Sequence, residues 1–151
     1  MIQKNEKLFL AISKIYFSEL SDIESITENP DGTSSITFAS GKDWSELYFS
    51  KGSGVFSQKH KSVDEGDLFT QSVELSYPGD GIETQQQLKS LFQKPLVIKM
   101  QFSNCSNPFS KIIGTLDNPC FFSEDFKNQD YSSKRDISFM RQSTYPAPFL
   151  S

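Results

Sequence analysis

Residues 69–102 read FTQSVELSYPGDGIETQQQLKSLFQKPLVIKMQF: a strand, a turn, a short helix and a second strand. Phe69, Val73, Leu75 and Tyr77 share one parity and alternate with polar residues, the period-two mark of a half-buried strand. Pro78-Gly79-Asp80-Gly81 breaks that pattern. The spacing then predicts a helix over 83–94. Asp80 can cap its free amides, Glu83 completes a capping-box spacing, and Leu88, Leu91 and Phe92 form its apolar face. Pro95 closes the helix because it donates no backbone hydrogen bond and disfavours helix at Lys94. Leu96, Ile98, Met100 and Phe102 alternate again as a strand.

On either side of this block the chain reads mostly as strands and turns. Lys7–Phe17 fits both a helical stripe (Leu8, Ile12, Ile15, Tyr16) and a strand, and its Ile, Tyr and Phe content favours the strand. Asn29-Pro30-Asp31-Gly32 is a strong reversal signal and makes a hairpin of 23–27 and 35–39. Trp44–Phe49 reads as a strand carrying the only Trp. Residues 50–68 are polar and predict a long extended loop or hairpin; segments of that length tend to be functional or mobile. Further strands are expected at Lys111–Leu116, broken by Gly114, at Cys120–Phe126 and at Arg135–Thr144, with Ile137 and Phe139 inward. Ser103–Pro108 reads as a turn and Lys127–Ser133 as a polar loop. The C-terminal residues 145–151 are extended, and Pro146 and Pro148 argue against a central strand there. Seven to nine short strands with one helix make the fold mainly β: a β-sandwich or open barrel with one flanking helix.

The 151 residues make one domain, 1–151, and the 14 Phe offset a modest hydrophobic content of 36%. Fifteen basic against 19 acidic residues give a net charge of -4, which argues against a dedicated nucleic-acid binder. Cys105 and Cys120 lie fifteen positions apart with no second pair and no Cys-x-x-Cys; a single disulfide between them is the lesser reading, and two small reduced side chains the favoured one. Met1–Glu6 does not open like a signal peptide, and no run approaches a membrane span, so the expectation is a chain folded in a cytoplasm.

No residue pattern announces catalysis. His60 is the only histidine and lies between Lys59 and Lys61 in the most polar stretch, a poor setting for an oriented base. Gly52-Ser53-Gly54 lacks the frame of a nucleophile elbow, and neither it nor Gly79-Asp80-Gly81 makes a phosphate loop. Asp64, Glu65 and Asp67 miss the calcium-loop spacing and read as a solvated turn, and Glu124-Asp125 is weaker still. No metal or cofactor is expected. Trp44 and Tyr48 suggest a sugar-stacking face, although aromatic residues serve the core more often.

Ile12-Ser13-Lys14-Ile15-Tyr16-Phe17-Ser18-Glu19 leads into a hairpin and the Trp44 strand. A polar excursion follows, then Phe69–Tyr77 with Pro78-Gly79-Asp80, the helix, Pro95-Leu96-Val97-Ile98 and Ile113-Gly114-Thr115-Leu116-Asp117-Asn118-Pro119, and the chain closes on Phe149-Leu150. In this order the chain resembles small virion structural proteins of tailed bacteriophages, the tail-tube and neck-ring group of Bacteroidota phages. The resemblance rests on turn and strand signatures over nearly the whole chain. It implies a non-enzymatic structural protein whose copies form a ring or tube in the virion, assembled in the host cytoplasm. Other tail or neck proteins would be its partners, with DNA passing through the lumen without sequence-specific binding and no membrane involved. It places subunit contacts in the 50–68 excursion and the C-terminal segment: Phe56, Lys59, His60, Lys61, Asp64, Glu65, Asp67, Tyr145 and Phe149. The acidic balance suits a conduit that must not grip phosphate. The alternative is a β-sandwich module that binds carbohydrate or protein, with Trp44 and Tyr48 as its platform.

Overall fold

The Phe69–Tyr77 alternation is the inward row of the central strand of a four-stranded sheet. In the computed structural model, which describes residues 12–50, 52–78, 82–102, 108–129 and 132–150, that strand is β6 (Gly66–Pro78). It pairs on one side with β5 (Val55–Val63) and on the other with β10 (Ser132–Ser143), which in turn pairs with β9 (Phe121–Gln129). All three ladders are antiparallel. Val73 and Leu75 on β6, Ile137 and Phe139 on β10 and Phe122 on β9 turn to one face and are buried. The β6–β10 register runs unbroken from Lys134↔Pro78 to Ser143↔Phe69, because a slip of one residue would move every one of these side chains to the solvent face.

The second sheet has seven strands in the order β2-β3-β11-β8-β7-β1-β4. These are β1 (Ile12–Glu19), β2 (Ile23–Glu28), β3 (Thr33–Phe38), β4 (Ser45–Leu47), β7 (Leu96–Phe102), β8 (Phe109–Ile113) and β11 (Phe149–Leu150). Ile15, Ile98, Met100 and Ile113 face the four-stranded sheet and complete the main core. Each such side chain contributes roughly 1.5–3 kcal/mol on full burial.

The opposite face of the larger sheet is covered too. Val97 and Ile112 point away from the main core by strand parity, yet are 0% and 1% exposed. Lys99 on that face lies over the Tyr16 ring at 4.3 Å and near Trp44 at 5.4 Å, and Trp44 meets Phe38 edge to face at 5.3 Å. β3 and β4 stand near opposite ends of the strand order, where a flat sheet would hold them several strand spacings of about 4.8 Å apart. The Phe38–Trp44 contact therefore requires the sheet to curl over this second apolar layer. The fold is mainly β, with two sheets and one short α-helix among the described residues, consistent with a β-sandwich or open barrel.

Several elements differ from the sequence expectation. The α-helix α1 spans Ile82–Lys89, shorter than 83–94. Turn-type bonds from Leu91, Phe92 and Lys94 N–H groups follow it, and Gln93 sits at φ 61. The tight turn drops Leu91 beside Leu88 into the core and leaves Phe92 43% exposed, its ring 5.4 Å from that of Phe122. Trp44–Phe49 gives only the three-residue β4, because Trp44 is drawn into the far-face layer. Lys127–Gln129 and Ser132–Ser133 belong to the β9–β10 hairpin rather than to a loop. Phe149-Leu150 forms a central strand despite the neighbouring prolines. The prolines precede the ladder, and the carbonyl of Pro148 still accepts from Ile112 N–H at 3.1 Å. Lys7–Ala11, the Gly79-Asp80-Gly81 turn with its Asp80 cap, the Glu83 side chain and the Ser103–Asn107 turn with Cys105 lie outside the described residues.

Candidate assembly surface

The 50–68 excursion is a hairpin. β5 and β6 are joined by the two-residue turn Asp64-Glu65, followed by Gly66 at φ 127. Every residue from Lys59 to Asp67 is exposed, on both strand parities, so the distal half of the hairpin packs only on itself and projects from the sandwich. Lys59 and Lys61 lie on one side of β5. On the other, His60 Nε2 lies 2.8 Å from Asp67 Oδ1, and its ring covers Phe69 at 4.9 Å. Those contacts commit His60 to bracing the hairpin. Asp64 and Glu65 occupy the tip.

The other three predicted contact residues are elsewhere. Phe56 is half-buried at the hairpin base against the core. Phe149 is on β11, and Tyr145 is in the segment leading to it. Tyr145 donates its hydroxyl to a Glu28 carboxylate oxygen, and burial followed by that bond raises its pKa. Phe56 and Phe149 meet around a residue the sequence reading missed. The Lys111 ammonium lies 5.9 Å from the Phe56 ring centre and 4.7 Å from that of Phe149, and burial lowers its pKa. A lysine in a short strand reads as solvent-facing; its register opposite Met100 and Phe149 shows that it points inward.

The four-stranded sheet keeps both outer edges open among the described residues, and each is nine residues long: β5 and β9. On its outward face Phe121 and Met140 are direct cross-strand neighbours and are 53% and 52% exposed. Beside them the Ser123 and Ser138 hydroxyls bond to each other at 2.6 Å. Open edges, an adjacent apolar pair and a projecting arm are features of a surface suited to strand pairing.

Other candidates are engaged differently. Trp44 and Tyr48 have separate partners.

 Trp44 is held by Phe38 and Lys99, whereas Tyr48, 66% exposed, stands edge-on to Tyr77 at 6.0 Å beside α1. They do not form one stacking platform. Glu124 accepts from the buried Arg135 at 3.0 Å and serves the sandwich interior. Among the described residues no group of three or more His, Cys, Asp or Glu comes together, and no helix is long and apolar enough to cross a membrane.

Cys120 bridges to Leu96 at the sheet margin and is fully buried. Burial pushes its thiol up from 9.0 to about 12, against a smaller opposing pull from the Arg141 charge. The folded chain thus holds the neutral thiol more firmly than the unfolded chain does. The resulting stability is fully present below pH 9.0 and is lost as pH rises towards about 12. Iodoacetamide at about pH 8.5 is expected to label Cys120 only after unfolding in urea, because the thiolate is the nucleophile. Labelling of the native protein at the unfolded rate, read by peptide mass spectrometry, would contradict this burial.

No family model matches the chain, and no curated protein or solved structure is similar enough to it to count as a match.

Proposed function

We propose that this chain is a non-enzymatic structural component of a tailed-phage particle, its copies assembling as a ring or tube around the DNA channel. The observation that carries the reading is the four-stranded sheet with two open nine-residue edges and a hairpin that projects beyond the sandwich. An exposed edge of that length is a liability in a monomer, since its unpaired N–H and C=O groups template association. Pairing edge to edge between copies satisfies those groups, and a head-to-tail contact repeated by rotation closes a ring. Phe121 and Met140 would be covered in the process. The net charge of -4 is compatible with a lumen through which DNA slides. In this reading the protein resides in the virion, is assembled in the host bacterial cytoplasm, and contacts other tail or neck proteins.

Light scattering on size-exclusion fractions, with negative-stain microscopy of the same fractions, tests it. Rings or short tubes are expected. A strict monomer at high concentration would count against self-assembly. The double charge reversal Asp64→Lys with Glu65→Lys is expected to weaken assembly while leaving the monomer folded, because both residues are exposed at the hairpin tip. Unchanged ring yield would remove the hairpin from the contact. The rival reading, a binding module, draws on the exposed ring of Tyr48. It predicts a monomer whose ligand binding is lost on Tyr48→Ala.

A further inference from the structure

We infer that the slot between β3 and β8 is an acceptor groove for an extended Pro-x-Pro-aromatic segment, and that residues 145–150 of a second copy can fill it in exchange for the chain's own. The inference rests on the slot's geometry and stands apart from any role in a phage particle. β3 and β8 do not pair with each other; β11 alone joins them, parallel to β3 and antiparallel to β8. Without it, both strands would present free edges in the middle of a sheet, ready to pair with another extended segment.

The segment's backbone makes few ladder bonds, and its other anchors are side-chain contacts that a neighbouring copy could supply equally: the Tyr145 hydroxyl donates to Glu28, and the Tyr145 carbonyl accepts from Gln71 Nε2. Pro146 and Pro148 donate no hydrogen bonds. The backbone N–H of Phe149 donates to Gly32 O at 3.2 Å, that of Ala147 donates to Gln58 Oε1 at 2.9 Å, and Ile112 N–H donates to Pro148 O at 3.1 Å. Ala147 is the segment's buried side chain, whereas Phe149 is 44% exposed. The ladder itself is only two residues long.

The route for exchange is also present. β10 belongs to the four-stranded sheet and β11 to the other, so residues 144–148 cross between sheets, starting from the exposed Thr144. Swinging the segment about Ser143-Thr144 would carry it to a neighbour, where it would remake the same bonds. Exchange of an identical element is a low-cost route to association.

The test uses the full chain in two separately purified single variants, Lys111→Cys and Phe149→Cys. These positions are cross-strand partners, at a separation suited to a disulfide, and neither variant can form this link within one molecule. After 1:1 mixing and mild oxidation, peptide mapping is expected to find the 111–149 link several-fold above that of a control mixture of Tyr48→Cys with Phe149→Cys. A yield no higher than the control would overturn the exchange. Should either variant fail to fold, native-state hydrogen exchange on the unaltered protein decides. Ile112 and Phe149 amides opening well before those of Val73 and Phe139 would support a detachable segment. Their exchange only with global unfolding would overturn it. Either result is independent of whether rings form.

Discussion

Replacing Gly114 by alanine is expected to destabilise the protein by about 2–4 kcal/mol, read as a fall in the urea midpoint with an unchanged slope. Gly114 directly follows β8 at φ 113, a conformation that side-chain-bearing residues rarely adopt. An added Cβ would stand 3.0 Å from Leu96 O and 3.1 Å from Val97 Cα. These are backbone atoms of β7, in the middle of the seven-stranded sheet, so no side-chain rotation relieves the contact. Gly41→Ala separates collision from strain, because Gly41 is also left-handed at φ 77 but a Cβ there meets nothing within 4 Å. That control is expected to lose only about 1–2 kcal/mol. Equal losses at both sites would mean that β7 yields, and that the approach at Gly114 is not tight. The site matters beyond stability. Gly114 opens the turn in which Thr115 and Asn118 bond to each other, and the same Asn118 carbonyl accepts from Arg141.

The legible parts of the fold are those where side-chain parity and burial agree. Val73, Leu75, Ile137 and Phe139 are apolar and inward, so β6 and β10 could be read from alternation. The hairpin at 50–68 was legible because both faces of its distal half are polar, which matches an arm that projects beyond the sandwich. Reading failed where a polar residue turns inward. Gln71, Arg135 and Arg141 share the inward parity of Val73, Ile137 and Phe139 and are buried, yet composition assigns them to solvent. Lys111 is the same case at the candidate surface. β11 was illegible for another reason: its place between β3 and β8 is a tertiary decision, and local proline chemistry argues against any strand nearby. The curl of the larger sheet was hidden likewise, since Val97 and Ile112 lie on the parity opposite to the main core. Hydrophobic runs in β7 and β8 signal burial on two faces but not what covers the second.

Gln71→Leu is expected to cost about 3 kcal/mol, whereas adding Arg141→Met to it should recover most of that loss. Gln71 is fully buried and accepts from Arg141 Nε at 2.7 Å, while its amide donates to Gln58 Oε1 and Tyr145 O. Arg141 is itself buried, with its Nη1 on Asn118 O at 3.2 Å and its guanidinium 5.7 Å from the Tyr145 ring. No carboxylate faces it among the described residues, so its charge is held by amide and carbonyl dipoles and one aromatic ring. Removing Gln71 alone strands a buried cation donor, and the full desolvation penalty is then felt. Arg141→Met alone removes the cation and leaves an uncharged acceptor unpaired, at a cost of about 1–2 kcal/mol. With both replaced, apolar groups fill the same space, and the double variant should lie within about 1 kcal/mol of the parent. The single losses therefore overshoot the double by about 3 kcal/mol, a coupling that chemical denaturation of the four proteins measures directly. Additive losses would mean that water or main-chain movement rescues Arg141 once Gln71 is gone. Strong coupling would show that the contact tying the four-stranded sheet to the C-terminal segment works as one unit. It would also explain why a cation stands on the inward row of β10, since through Gln71 and Asn118 it fixes the residues on which Tyr145 and the crossing to β11 depend.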